Sequence, residues 1–290
     1  MTNIRDRIDQ AVKNGVCKPF QGTNRKWREM IRCEESFFPY VLGNYTHTIK
    51  DFYQSEQYNK MEEKGKNWYW IGVGPIEFFG NFYLDFYIFV TFFRRKVHHY
   101  SDIEVLHEGT YLETGGSDGV RASNTLFFER FLSWQGILIE PTVCAEIHLP
   151  LNRPTAKVYR GGACLTEQKL SINDMKAFCP DDHGSDKWEI PVRCSPIKAY
   201  MDEARILSEN KKDKIIGRTI DFMSIDVEQY YMSALKSIPF DEYNIRVMVV
   251  ECKTEECYDF LRSKGYLVLP AGSIKQIPDD AIAWKNDCIN

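Results

Sequence analysis

Residues 110–141 decide the fold, and they read TYLETGGSDGVRASNTLFFERFLSWQGILIEP. The pattern predicts a strand at Thr110–Thr114, a helix through Leu126–Leu132 and a second strand at Gly136–Glu140. A strand, a helix and a second strand in this order form the repeating unit of a parallel sheet with helices on its faces.

The same alternation continues to the end of the chain. Further strands are predicted at Ala156–Tyr159, Asp221–Ile225, Arg246–Glu251, Tyr266–Leu269 and Ala281–Lys285. Helices are predicted between them at Thr142–Leu151, Ile197–Arg205, Glu228–Ser237 and Thr254–Lys264. The last strand returns after a short Pro-Asp-Asp turn, which is typical of an antiparallel hairpin. We therefore predict an α/β, Rossmann-like, mostly parallel sheet with a C-terminal antiparallel hairpin over residues 105–290.

Residues 1–104 lack this alternation and are rich in aromatic side chains. One helical stripe is formed by Phe78, Phe82, Phe86, Phe89 and Phe93. Pro75 suits the first turn of such a helix. We therefore predict a helical, aromatic-rich N-terminal extension over residues 1–104. Glu77 and Asp85 interrupt the apolar run, which leaves it short of the roughly 20 residues of a membrane span, while peripheral contact with a membrane surface stays open.

Composition excludes several classes of protein. Of the 290 residues, 43% are hydrophobic and 27% charged, and the net charge is −4, so neither disorder nor a basic nucleic-acid-binding surface is indicated. The N-terminus shows no apolar secretory segment, and the nine cysteines form no CxxC pair. We expect a cytoplasmic protein with reduced thiols, in which Cys252 and Cys257 simply pack beside a helix start.

A glycine-rich loop at 115–119 follows the first predicted strand and precedes its helix. Such a loop lets the backbone approach a nucleotide-like ligand, and an acid at the end of the next strand, here Glu140, can bind ribose hydroxyls. Ser117 and Val120 stand where a dinucleotide site requires glycine. The spacing therefore tolerates a ligand without a pyrophosphate, and S-adenosylmethionine, an adenosine derivative that carries no phosphate, fits it.

Three stretches resemble the FkbM family of methyltransferases, and together they span roughly residues 108–285. They are GTYLETGGSDGVRASNTLFFERFLSWQGILIEP, NRPTAKVYRGGACL and IDFMSIDVEQYYMSALKSIPFDEYNIRVMVVE, in that order. The resemblance implies a class I, S-adenosylmethionine-dependent fold that methylates a hydroxyl group, with a carbohydrate or glycan as acceptor.

The resemblance also implies roles for individual residues. The cofactor site would comprise Glu113, Gly115, Ser117, Asp118, Gly119, Ser123, Asn124, Glu140, Pro141, Ala163 and Cys164. Asp226 and Glu228 belong to a D-V-E motif that faces the reaction site, and we assign them catalytic roles. Glu251 ends the next strand, so Asp226 and Glu251 could together hold Mg²⁺ or another divalent cation.

The chain departs from the family pattern at two positions. Gln229 replaces a glycine and Tyr231 replaces a glutamate after the D-V-E motif. A non-catalytic interaction protein with this fold is therefore one alternative. A nicotinamide-dependent oxidoreductase that uses the same loop and Glu140 is another, which the absent third glycine disfavours.

Overall fold

The computed structural model describes residues 17–20, 30–34, 71–73, 76–80, 84–96, 102–106, 109–120, 122–171, 191–210, 218–273 and 277–286. They divide into two compact units. The first contains the chain up to Gly109 together with Leu126–Trp134, and the second contains Thr110–Thr125 and Gln135–Cys288.

The described part of the first unit is built mainly from short antiparallel strands. These strands are β1 (Cys17–Phe20), β2 (Met30–Glu34), β3 (Ile71–Val73), β4 (Ile76–Phe78), β5 (Arg94–Lys96) and β6 (Asp102–Leu106). One sheet has the order β1-β2-β6-β5, and β3 and β4 form a separate hairpin. Helix α1 (Leu84–Ile88) runs into a π-helical turn (Phe89–Phe93), and α2 (Leu126–Leu132) completes the unit.

Aromatic side chains form the core of this unit. Phe93 packs edge-on against Phe128 and Trp134, with ring centroids 5.6 and 4.8 Å apart, and Phe89 packs against Phe127 at 4.9 Å. The indole N–H of Trp134 donates to the carbonyl of Leu106 at 2.8 Å, which satisfies its buried polar atom. The aromatic residues predicted to form a stripe at Phe89 and Phe93 are therefore core residues.

The prediction that a helix begins at Pro75 is wrong, although a helix is found further on, at Leu84–Ile88. Val73 pairs with Ile76 in a tight hairpin, and α1 begins only at Leu84. Short runs bounded by glycine and proline favour a hairpin over a helix, because the turn interrupts the helical hydrogen bonds. Within the described residues, no helix has both the length and the apolarity to cross a membrane.

The second unit contains ten strands and five helices among its described residues. The strands are β7 (Thr110–Thr114), β8 (Gln135–Glu140), β9 (Lys157–Arg160), β10 (Gly162–Ala163), β11 (Gln168–Leu170), β12 (Val192–Ser195), β13 (Thr219–Ile225), β14 (Asn244–Glu251), β15 (Leu267–Leu269) and β16 (Asp280–Trp284). The helices are α3 (Cys144–Ile147), α4 (Leu149–Asn152), α5 (Ile197–Asn210), α6 (Tyr231–Lys236) and α7 (Glu255–Ser263). A 3₁₀ turn, Glu228–Tyr230, leads into α6.

Seven strands form the main sheet in the order β9-β8-β7-β13-β14-β16-β15. Strands β7, β8, β9, β13 and β14 are parallel, whereas β16 lies antiparallel between β14 and β15. The prediction of a mostly parallel sheet with a C-terminal antiparallel hairpin is confirmed. A small second sheet, β10-β12-β11, lies outside the main one.

Five cysteines of the second unit take part in disulfides, which overturns the expectation of reduced thiols at these positions. Cys164 pairs with Cys194 and Cys252 with Cys257, with Cα atoms 5.5 and 6.6 Å apart, and Cys144 is also disulfide-bonded. Both Cα separations lie in the range that disulfide geometry allows. The sequence could not reveal the first pair, because Cys164 and Cys194 meet only when β10 pairs with β12.

Candidate functional site

The candidate site lies where the order of the main sheet reverses. Strand β7 has β8 on one side and β13 on the other, although both follow it in the chain. Open α/β sheets bind ligands at the carboxyl ends of their strands at such a switch point. A cavity of about 220 Å³ opens here, lined by the residues that end β7, β8 and β13 and by Gly161–Ala163 and Cys194.

Half of the predicted site residues line this cavity. They are Gly115, Ser117, Glu140, Pro141, Ala163, Asp226 and Glu228. The residues predicted from sequence that are not among the lining residues are Glu113, Asp118, Gly119, Ser123, Asn124, Cys164 and Glu251. The fold thus brings together residues that are more than 110 positions apart in the chain.

Gly115 directly follows β7 and lies between the end of β8 and the end of β13. It has a left-handed backbone, with φ of +81°, and its amide donates to the carbonyl of Ile139 at 2.9 Å. A Cβ atom at this position would overlap the backbone carbonyl oxygen of Asp226. Glycine is therefore required at this position both by the positive φ angle and by the close approach of two segments of the backbone.

Glu140 is buried at the end of β8, with 2% of its surface exposed. Its two carboxylate oxygens accept hydrogen bonds from the amides of Ser117, at 2.7 Å, and Thr142, at 2.8 Å. Burial raises the pKa of Glu140, and these hydrogen bonds oppose that rise. The carboxylate is held rigidly in the cavity wall, and it connects the glycine loop to β8.

Asp226 follows β13 and faces the cavity from the opposite side of β7. Burial raises the pKa of this carboxyl well above its ordinary value, and the hydrogen-bonded carboxyl of Glu251 raises it further. The charges of Asp280 and Glu228 act in the same direction. Asp226 as a whole is exposed at the cavity, so the raised pKa reflects the protein atoms and carboxylates around its carboxyl group, which holds its proton more tightly than the carboxyl of an aspartate in water.

Two residues of the cavity wall have a left-handed backbone conformation that residues other than glycine rarely adopt. Ser117 has φ of +44° and Glu228 has φ of +52°. Such conformations cost free energy and are concentrated at ligand-binding and catalytic positions. Thr114, beside them, is 1% exposed, and its hydroxyl oxygen has no hydrogen-bond partner among the described residues. A buried hydroxyl without a protein partner is satisfied when an ordered water or a ligand supplies a hydrogen bond.

Glu251 and Asp280 stand behind Asp226 as register partners on β14 and β16. One carboxylate oxygen of Glu251 is buried and has no hydrogen-bond partner among the described residues. Burial, followed by the charges of Glu251 and Asp279, raises the pKa of Asp280 to about 7, while Lys253 lowers it. Within the described part of the chain, no three His, Cys, Asp or Glu side chains are arranged to hold a metal ion.

Glu113 lies under the glycine loop rather than in the cavity wall. Its carboxylate accepts hydrogen bonds from the hydroxyls of Ser123 (2.8 Å) and Thr125 (2.6 Å) and from the backbone N–H of Asn124 (2.8 Å). The guanidinium of Arg153 forms a buried ion pair with it at 3.4 Å. Glu113, Ser123 and Asn124 therefore shape the loop from behind.

Asp118 and Gly119 also serve the loop itself. The Asp118 carboxylate accepts a hydrogen bond from the amide of Val120 at 2.9 Å, and its backbone carbonyl accepts one from the side chain of Asn152 at 2.7 Å. Gly119 has φ of +80°, and a Cβ there would lie 2.6 Å from Leu149 and 2.8 Å from Arg153. This glycine is required by protein packing.

Sequence reasoning missed several residues of the site. Arg153 lies within the stretch NRPTAKVYRGGACL, where no motif indicates a role for it, although it is completely buried. Thr114, Cys194 and Tyr230 line the cavity and belong to no motif. Two of them carry a positional signal in the sequence, since Thr114 directly precedes the glycine loop and Tyr230 lies two residues after the D-V-E motif.

The strand order, with β16 inserted antiparallel next to the last parallel strand, defines the Rossmann-like fold of class I methyltransferases. No protein-family model matches the chain, and the comparison with curated proteins gives no match either. The FkbM assignment therefore stays a prediction.

Two solved structures are similar to this chain at a distance. Precorrin-6y C5,15-methyltransferase from Geobacter metallireducens GS-15 is 10% identical, over 62% of this chain and 81% of its own, with a TM-score of 0.34. The N-terminal domain of human METTL16 is 13% identical, over 61% of each chain, with a TM-score of 0.31. Because these likenesses are distant, the fold assignment rests on the strand order of this chain, and a fold alone does not define a function.

Proposed function

We propose that this chain binds S-adenosylmethionine and transfers its methyl group to an acceptor hydroxyl. The observation that carries the proposal is the cavity at the switch point of the sheet. Glu140 and Asp226 line this cavity from opposite sides of β7. Glu140 is placed to accept hydrogen bonds from ribose hydroxyls, and the unpartnered hydroxyl of Thr114 offers a further polar contact.

The charge of the cavity wall favours a ligand without phosphate groups. Glu140, Asp226 and Glu228 line it, and no Lys, Arg or His is among the described lining residues. A pyrophosphate would meet carboxylates where it requires cations or free amides. The sulfonium and ammonium groups of S-adenosylmethionine suit this wall, which disfavours the nicotinamide-dependent alternative.

The residues at the end of β13 are suited to handling a proton. When bound, the cofactor would supply an electrophilic methyl group, so the protein needs only to align the acceptor oxygen and receive its proton. A raised pKa makes Asp226 a stronger base than an ordinary aspartate. Glu228 stands two residues further along the same wall, where it could position the acceptor.

A divalent cation between Asp226 and Glu251 fits the described residues poorly. Two carboxyls that share a hydrogen bond provide few ligands for an ion that prefers six oxygens. The proposed reaction therefore uses only carboxyl groups to position the acceptor and to receive its proton. Chelation with EDTA tests the metal version, which predicts lost activity that added Mg²⁺ restores.

A sugar or glycan acceptor is the finer part of the proposal, and the resemblance to the FkbM family supports it. Labelled S-adenosylmethionine incubated with a panel of oligosaccharides and nucleotide sugars tests this part. Titration calorimetry with S-adenosylmethionine, S-adenosylhomocysteine and NAD⁺ tests the cofactor separately. Binding of NAD⁺ alone would overturn the proposal, and cofactor binding without transfer would favour a non-catalytic interaction protein.

Asp226→Asn tests the assignment of the base. Asparagine keeps the size of the side chain but cannot accept the acceptor's proton, so we expect methyl transfer to fall by about 100-fold or more. Cofactor affinity should stay close to wild type, and the variant should remain folded by circular dichroism. Transfer at the wild-type rate by the folded variant would remove Asp226 from the reaction.

A further inference from the structure

Arg153 is a completely buried arginine that directly follows α4. Its guanidinium donates to the hydroxyls of Ser123 (3.0 Å) and Thr125 (2.9 Å) and to the carbonyl of Gly119 (3.3 Å). The ion pair with Glu113 adds a fourth contact. A buried charge is tolerated only when it is paired and hydrogen-bonded, so these partners account for its presence.

The four partners just named lie in one short segment of the chain. Glu113 belongs to the end of β7, Gly119 ends the glycine loop, and Ser123 and Thr125 precede α2. The pair Glu113–Arg153 therefore ties together the two ends of the loop that contains Gly115 and Ser117. Both of these loop residues line the cavity, whereas neither member of the pair does.

The stem of Arg153 also supports the loop sterically. Gly119 lies so close that an added Cβ would stand 2.8 Å from Cγ of Arg153. On the other side the guanidinium lies over the ring of Tyr111, 5.2 Å from its centroid. The loop rests on a side chain that is fixed by packing and by hydrogen bonds, so a change at Arg153 should move the loop.

We propose that Arg153 and Glu113 are positioning residues for the cofactor loop. They hold the loop in the conformation in which the backbone N–H of Ser117 donates a hydrogen bond to the carboxylate of Glu140. In this way they set the affinity of the cavity for its ligand without contacting that ligand. This inference rests on the proposed function, since S-adenosylmethionine is the ligand whose affinity they would control.

The chain offers a matched control for this pair. Arg246 forms a buried ion pair with Asp221 at 3.2 Å, and both residues lie in the amino-terminal halves of β13 and β14, away from the cavity. Arg153→Met and Arg246→Met each remove one guanidinium from a buried pair in the same unit. Any general cost of losing a buried charge should be similar in the two variants.

Calorimetric titration with S-adenosylmethionine, at a temperature at which both variants are folded by circular dichroism, tests the proposal. We expect the Kd of Arg153→Met to rise at least tenfold and that of Arg246→Met to stay within twofold of wild type. Arg153→Lys should give an intermediate Kd, because one ammonium cannot reach all four acceptors. Wild-type affinity in folded Arg153→Met would overturn the inference.

Amide hydrogen exchange gives a second readout that does not depend on the cofactor. Arg153→Met should speed exchange of the amides of Ser117, Gly119 and Val120, and Arg246→Met should not. If Arg153→Met fails to fold, Thr125→Val removes one acceptor of the same guanidinium and should produce the same local change. If wild type binds no S-adenosylmethionine, the proposed function fails, while unchanged exchange in these variants refutes the positioning role by itself.

Discussion

At the scale of single residues, the carboxylate of Glu140 provides a direct test of the cavity. Glu140→Ala removes the group that would bind the ribose, and charge-assisted hydrogen bonds are worth on the order of 1.5–3 kcal/mol. We expect the Kd for S-adenosylmethionine to rise about tenfold or more in calorimetric titration. Glu146→Ala, an exposed acid on α3 that pairs with Arg160, is the control and should bind normally. An unchanged Kd in Glu140→Ala would remove Glu140 from the site.

Gly115 permits a comparison between two glycines that share one backbone conformation. Gly115 and Gly265 have φ of +81° and +82°, but an added Cβ overlaps Asp226 only at Gly115, while at Gly265 its nearest neighbour is Lys285 Nζ at 3.6 Å. Gly265→Ala should therefore cost only the left-handed torsion, about 1–2 kcal/mol. Gly115→Ala should cost more and should abolish cofactor binding, because it pushes β7 and β13 apart. Urea denaturation and calorimetry measure the two effects, and equal costs with retained binding would contradict the prediction.

At the scale of elements, the disulfide between Cys164 and Cys194 ties β10 to β12 beside the cavity. It closes a loop over a sequence separation of 30, whereas Cys252 and Cys257 are separated by only 5. Loop-closure entropy predicts stabilisation of about 4 kcal/mol for the first bond and about 2 kcal/mol for the second. The double variants Cys164→Ser/Cys194→Ser and Cys252→Ser/Cys257→Ser should lose stability in that order in guanidinium denaturation. Free thiols at all four positions in protein purified without reductant, detected by mass spectrometry, would contradict this bonding pattern.

At the scale of the whole molecule, the carboxyl cluster behind the cavity makes stability depend on pH. Burial and neighbouring carboxylates raise the pKa of Asp280 to about 7, whereas an aspartate in the unfolded chain ionises near its ordinary 3.8. Between these values the unfolded chain has lost its proton and the folded protein has kept it, so stability should fall as pH rises through this window. Asp280→Asn stays neutral, so its stability relative to wild type should increase from pH 5 to pH 8.

Urea denaturation at both pH values checks this prediction. Asp241→Asn, which changes an exposed acid in a turn, should keep the wild-type slope. Parallel slopes for wild type and Asp280→Asn would show that Asp280 does not titrate in this window.

The parallel sheet could be read from the sequence because each strand has a local signature. Thr110–Thr114 is predicted and found at the same bounds, and the other main strands differ by one or two residues at their ends. The helix predicted at Thr254–Lys264 is found as α7, and the side chain of Thr254 caps it by accepting a hydrogen bond from the backbone amide of Cys257. The first unit resisted such a reading, since its short strands pair with partners as distant as β2 and β6.

The sequence by itself determined the succession of strands and helices of the main sheet and the polar residues at the ends of those strands, because alternation, turns and strand ends are local properties. Only the tertiary structure decided what those residues do. Glu113 turns from the cavity because Arg153, 40 positions later, is buried against it. Glu251 raises the pKa of Asp226 and of Asp280 because β13, β14 and β16 lie side by side. Cys194 reaches the cavity wall through the pairing of β12 with β10. Such distances between side chains follow from packing, which no local pattern encodes.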